Sequence, residues 1–129
     1  MGPFNYTITI ISLAGDASEQ VEALVDTGST YLWLPQSLLE RLGYQPVAMR
    51  TFILATGEKI ERGLTAVQVR IGDETWPIPC VVGDENGLSL LGAMVLEAFG
   101  LAVDPVNQRL VPTPSLALTV IDRLIMSHV

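Results

Sequence analysis

A chain of 129 residues, 49% apolar and only 16% charged, makes one domain with a real core and little polar material to cover its surface, so a sticky face of the kind oligomers use is expected. Acidic side chains outnumber basic ones, 14 to 7, for a net charge of -7 with no cationic stripe, which argues against a nucleic-acid partner. The single cysteine rules out an internal disulfide framework and a cysteine-rich zinc site.

The start, Met1-Gly2-Pro3-Phe4, lacks the basic and long apolar regions of a signal peptide. No run is long enough to span a bilayer, so the chain reads as soluble and cytoplasmic with no membrane partner, an anchor in a longer parent being left open. Residues 5–11 alternate and are rich in β-branched side chains, which predicts a strand. Gly15 and Asp16 mark a turn, and residues 19–26 return as a second strand with Val21, Ala23 and Val25 on one face. Leu32-Trp33-Leu34-Pro35 is a third strand, and residues 36–42 a short helix closed by Gly43.

Residues 47–68 read as two strands around Leu54-Ala55-Thr56-Gly57-Glu58-Lys59-Ile60, with the Thr56-Gly57 pair at a hairpin tip. Residues 65–71, a Gly72-Asp73 turn and residues 75–82 make another hairpin, in which Pro77 and Pro79 suit an edge or a bulge. Cys80 reads as a small buried hydrophobe rather than a nucleophile. After a polar loop at 83–87, residues 88–91 form a continuous apolar strand, residues 93–99 a helix stopped by Gly100, and residues 101–111 a last hairpin. The result is a mostly β, barrel-like domain over residues 1–114 with a tail at 115–129 that suits a strand and then a short helix or a frayed end. His128 is a lone histidine in that tail and offers no metal site.

Asp26 stands out chemically. Ala23, Leu24 and Val25 deliver a lone carboxylate to a tight turn between apolar strands, a costly position unless the charge is used. Asp, Thr and Gly are also ordinary turn residues, so a plain turn competes as the reading of Asp26-Thr27-Gly28 alone. An internal echo adds context: Leu39-Glu40-Arg41-Leu42-Gly43-Tyr44 and Leu96-Glu97-Ala98-Phe99-Gly100-Leu101 are each a short helix ending in Gly after an apolar strand and a Gly turn. Only the first unit carries Asp.

Asp26-Thr27-Gly28-Ser29-Thr30 with Leu32-Trp33-Leu34-Pro35 resembles the first active-site loop of the aspartic peptidases, specifically the retropepsin-like, single-domain branch. Leu88-Ser89-Leu90-Leu91-Gly92, followed by Met94-Val95-Leu96-Glu97-Ala98-Phe99-Gly100, is similar to the strand and helix near the end of those domains, and the resemblance spans most of residues 4–111. It implies a retropepsin-like closed barrel with a flap hairpin and one or two short helices. It also implies a homodimeric endopeptidase acting on extended, largely apolar polypeptide segments with no metal or organic cofactor. One Asp26 from each protomer would meet at the twofold axis, the pair sharing a proton so that one activates water and the other polarises the scissile carbonyl.

The neighbours acquire roles by the same resemblance. Thr27 would tie the two loops together across the dimer, and Gly28 would let substrate approach the backbone closely. Substrate-binding positions would be Ser29, Thr30, the flap residues Leu54, Ala55, Thr56 and Gly57, and Leu91 with Gly92, the flap receiving an extended peptide by strand addition. Alternatives stay open at several of these. Ser29 either bonds near the outer oxygen of Asp26 or caps its turn, Trp33 either lines a side-chain pocket or packs in the core, and the hairpin on pattern alone is equally a plain surface hairpin.

Thr30 and Ala93 stand where many retropepsins carry an acid and an arginine that brace the loop, so any bracing must come from elsewhere. The tail is assigned first to a sheet shared between protomers, with an autoprocessing site or a cleft occupant as alternatives. A catalytically silent dimeric peptide-binding or assembly module of the same fold is the competing reading of the whole.

Overall fold

The computed structural model describes residues 3–114, so the expectations for the tail at 115–129 lie outside the described residues. Strands β1 (Asn5–Ile11) and β2 (Ser18–Val25) pair antiparallel from Asn5 opposite Leu24 to Ile11 opposite Ser18. The alternation read from the sequence is the alternation of burial: Ala23 and Val25 turn inward while Gln20 and Glu22 face solvent. Strand β3 (Leu32–Pro35) leads into helix α1 (Gln36–Arg41), which buries Leu38 and Leu39.

Strands β4 (Ala48–Ile53) and β5 (Lys59–Ile71) form the hairpin expected at 47–68. β5 does not break near Gly63 as two separate strands would require; it runs for 13 residues and changes partners instead. Its first half pairs with β4, and residues 68–70 pair with β1. Gly63 is kept small by packing, since a Cβ there would stand 2.8 Å from the Pro46 ring. Strand β6 (Glu74–Gly83) pairs with β5 along Ile71 to Leu64, whereas its pairing with β3 begins only at Cys80. Pro77 and Pro79 thus sit where one side of β6 is an edge, and their missing N–H groups leave no ladder broken there.

Strand β7 is only Leu90–Leu91, shorter than the expected strand over 88–91, because Leu88 is left 74% exposed and has no neighbouring strand to cover it. Helix α2 (Ala93–Phe99) ends at Gly100 in the left-handed conformation (φ 62°), as expected, and strands β8 (Leu101–Asp104) and β9 (Arg109–Pro112) form a separate hairpin.

The large sheet runs β1-β2-β7-β3-β6-β5-β4, and the β1–β5 pairing closes six of its strands into a barrel, leaving β4 outside. Ile8, Ile10, Leu32, Leu34, Val67, Val69, Ile78 and Leu91 fill the interior, and Leu39, Val95 and Phe99 of the helices seal it. Tyr44, just after α1, is buried to 3% exposure, donates its hydroxyl hydrogen to the Ile11 carbonyl and accepts from Gln68 N–H at 3.1 Å. One phenol thereby fastens the seam between β1 and β5 that closes the barrel.

Candidate active site

β2 ends at Val25 and delivers Asp26 to the surface of the barrel. The loop around it is fastened through backbone groups. Asp26 N–H donates to the Leu91 carbonyl at 3.0 Å, Ser29 N–H to the Asp26 carbonyl at 3.1 Å, and Leu24 N–H to the Ser89 carbonyl at 2.8 Å. The first N–H groups of α2 close the other side: Ala93 donates to Ser29 O at 2.8 Å and Met94 to Thr30 O at 2.9 Å. These bonds answer the missing acid–arginine brace, for Thr30 and Ala93 hold the loop with main-chain atoms, donor N–H groups at a helix start meeting acceptors that would otherwise be unpaired.

Gly92 makes that contact possible. A Cβ there would lie 2.5 Å from Tyr31 O and closer still to Ser29 O, so any side chain would push the loop away from α2. Gly28 N–H donates to Asp26 Oδ1 at 3.0 Å, and a Cβ on Gly28 would come within 3.3 Å of the same oxygen. The Asp26 carboxylate is thus oriented by one N–H yet remains exposed within the single chain, as do Thr27 and Thr30.

Two expected binding residues behave differently. Leu91 is fully buried, so its side chain serves the core and cannot touch a substrate; what it offers the loop is its carbonyl. Ser29 Oγ donates to the Tyr31 carbonyl at 3.1 Å and not to Asp26, the turn-capping of its two alternatives. Leu54, Ala55, Thr56 and Gly57 form the exposed tip of the β4–β5 hairpin, closed by Leu54 N–H to Glu58 O and Gly57 N–H to Leu54 O, both 2.8 Å, with Gly57 at φ 87°.

Sequence reasoning missed how the hairpin meets the loop. Trp33 is neither a core residue nor free: half-buried, its ring lies 5.5 Å from Phe52 of β4, and Tyr31 meets the same ring edge-on at 5.7 Å. Arg50 Nη1 donates to Tyr31 Oη at 3.4 Å. An aromatic every second residue at 31 and 33, and Arg50 two residues before Phe52, were visible as spacings, but nothing local paired the two segments. Among the described residues no three His, Cys, Asp or Glu side chains cluster as metal ligands, and no helix is long and apolar enough to cross a membrane.

Comparison with known proteins agrees with this architecture. The sequence model of the aspartyl protease family matches residues 11–95, a span that holds both the Asp26 loop and the Gly92 segment. The chain belongs to that family, and its fold is retropepsin-like. Among solved structures it is similar to a retropepsin-like aspartic protease from Rickettsia conorii, with 24% identity, a TM-score of 0.56, and 81% of this chain and 76% of that one covered. It is also similar to the EIAV protease, solved with the inhibitor HBY-793 (18% identity, TM-score 0.55, 77% and 89% covered), and to the protease of Simian Foamy Virus (13%, 0.51, 72% and 91%). No curated protein matches the chain.

Proposed function

We propose that this aspartyl protease family member is a homodimeric endopeptidase that cleaves extended, largely apolar polypeptide segments with one Asp26 from each protomer. The observation that carries the reading is a carboxylate left exposed on a loop whose backbone is fastened on both sides, with Gly28 N–H already orienting Oδ1. Such a site is preorganised but chemically incomplete with one carboxylate, since water activation and carbonyl polarisation need a base and an acid at once. A second copy supplies the missing group, and two carboxylates brought together titrate as a pair with one shared proton. Thr27 stands beside Asp26 where it ties the two loops, and the β4–β5 hairpin acts as the flap, its tip residues Ala55, Thr56 and Gly57 presenting backbone to the peptide.

The test is digestion of a denatured protein mixture by the wild type and by Asp26→Asn from about pH 3 to pH 7, bracketing the titration of a carboxylate pair. Cuts made by the wild type alone, with a specific activity that falls as the protein is diluted through its dimer dissociation range, are the expected result. Identical digests from both proteins at concentrations where sedimentation shows a dimer would instead favour a silent peptide-binding module.

A further inference from the structure

We propose that Arg50 selects substrates with an Asp or Glu side chain two positions from an apolar residue, an inference that rests on the peptide-binding role of the β4–β5 hairpin proposed above. Strand alternation puts Arg50 on the same face of β4 as Phe52, and Phe52 packs against Tyr31 and Trp33. That face therefore looks onto the strand leaving the Asp26 loop. Arg50 reaches this wall by one long bond to a neutral partner, Tyr31 Oη at 3.4 Å.

Among the described residues three of five arginines hold a carboxylate: Arg41 pairs with Glu19 at 3.1 Å, Arg62 with Asp84 at 3.1 Å and Arg109 with Asp104 at 3.2 Å. Arg50 and Arg70 have none in ion-pair range among the described residues, and of these two Arg50 is the one bonded to the aromatic wall, through Tyr31. Arg50 also stands directly opposite Arg62 across the hairpin, a like-charge pairing that destabilises a sheet. Asp84 neutralises one member of the pair and leaves the other. In a chain with 14 acidic residues and net charge -7, a shortage of anions does not explain the omission.

A guanidinium held at the edge of an aromatic wall offers a carboxylate two parallel N–H donors, a geometry that an ammonium cannot copy. An extended peptide along this face presents alternate side chains to it, spaced by roughly 6.6 Å. With an apolar side chain against Phe52 and Trp33, the side chain two positions away comes level with Arg50, itself two residues from Phe52.

The experiment uses amidated peptides in Glu/Gln pairs that differ at one position at a time, at pH 6 and low salt, where glutamate is ionised. It reads kcat/KM for the full chain and, separately, affinity for the Asp26→Asn variant by fluorescence anisotropy. At one position two residues from an apolar side chain the Glu peptide should be favoured about tenfold, the worth of one charge-assisted contact. The ratio should fall to about one in Arg50→Ala, take an intermediate value in Arg50→Lys and invert in Arg50→Glu. No Glu preference at any position, a preference that survives Arg50→Ala, or one that appears only with a free C-terminal carboxylate would overturn the proposal. Glu-selective binding without any cleavage would sink the peptidase reading and leave the Arg50 assignment standing; Asp26-dependent cleavage indifferent to Glu would do the reverse.

Discussion

Val25 and Leu91 lie opposite each other in parallel register, and the chain leaves them into opposite circumstances. From Val25 it enters Asp26, which is exposed; from Leu91 it enters Gly92, which is buried and too crowded for a Cβ. The two segments share a local format of apolar strand, glycine and close approach, yet they divide the work. The first keeps its side chain free and lends its backbone to be held. The second places its side chain in the core and uses its backbone to do the holding, through Leu91 O, Ala93 N and Met94 N. Separating support from reactivity in this way lets a carboxylate stay solvated, where its charge is cheap, while its position is set by groups that carry no charge at all.

That division is open to direct attack. Asp26→Asn should lower peptidase activity by about 10³-fold or more, the scale of losing an acid–base group, while Tm stays within the range of a neutral surface change, because Asn Oδ1 still accepts from Gly28 N–H. Gly92→Ala should do the opposite first. Forcing a methyl against two carbonyl oxygens costs about 2–4 kcal/mol, read as a lowered denaturant midpoint, with activity falling because the loop loses its strut.

Gly28→Ala separates orientation from support more finely. Its Cβ crowds only the movable Asp26 carboxylate, so stability should change by about 1 kcal/mol or less while kcat/KM falls at least about tenfold. An equal loss of stability in the Gly28 and Gly92 variants would mean that the two segments are not divided as described.

Cys80 sharpens the comparison as a reporter from the core side. Burial pushes its thiol up to about 12, against a lesser opposing pull from a backbone hydrogen bond at Leu34. It should be silent to thiol reagents at pH 8 in the folded wild type, and Gly92→Ala should open it only if the strut variant loosens the barrel as well as the loop. The unfolded chain releases this proton first. Stability is therefore unaffected by Cys80 below the unfolded pKa of about 8.5 and declines as pH rises from there toward 12, which denaturation midpoints at pH 8, 9 and 10 would follow.

Much of the molecule was legible in advance, and the legible parts have a common character. The strands at 5–11 and 101–111, the helix at 93–99 with its glycine stop, and the hairpin around Thr56-Gly57 all follow from alternation, turn chemistry and backbone freedom within a few residues. The Asp26 loop was singled out because a carboxylate delivered by an apolar strand conflicts with its surroundings. Misreadings arose where a residue's environment is made by distant chain. Leu91 is placed at the substrate by resemblance alone, but the barrel closes over its side chain. Trp33 is open between pocket and core on sequence, and a ring from β4 some 20 residues on keeps it out of the core, half-buried beside Phe52.

By itself the sequence determined where the chain bends, which faces turn inward and which carboxylate is anomalous, since these depend on spacing between neighbours. Only the tertiary structure decided what holds the loop that carries it and which distant segments pack beside one another. Asp26 N–H finds Leu91 O across 65 positions of chain, Tyr44 joins β1 to β5, and Arg50 comes to rest beside Tyr31. Hydrogen-bond partners so far apart are chosen by closure of the barrel, which brings together donors and acceptors that no local pattern distinguishes from any others.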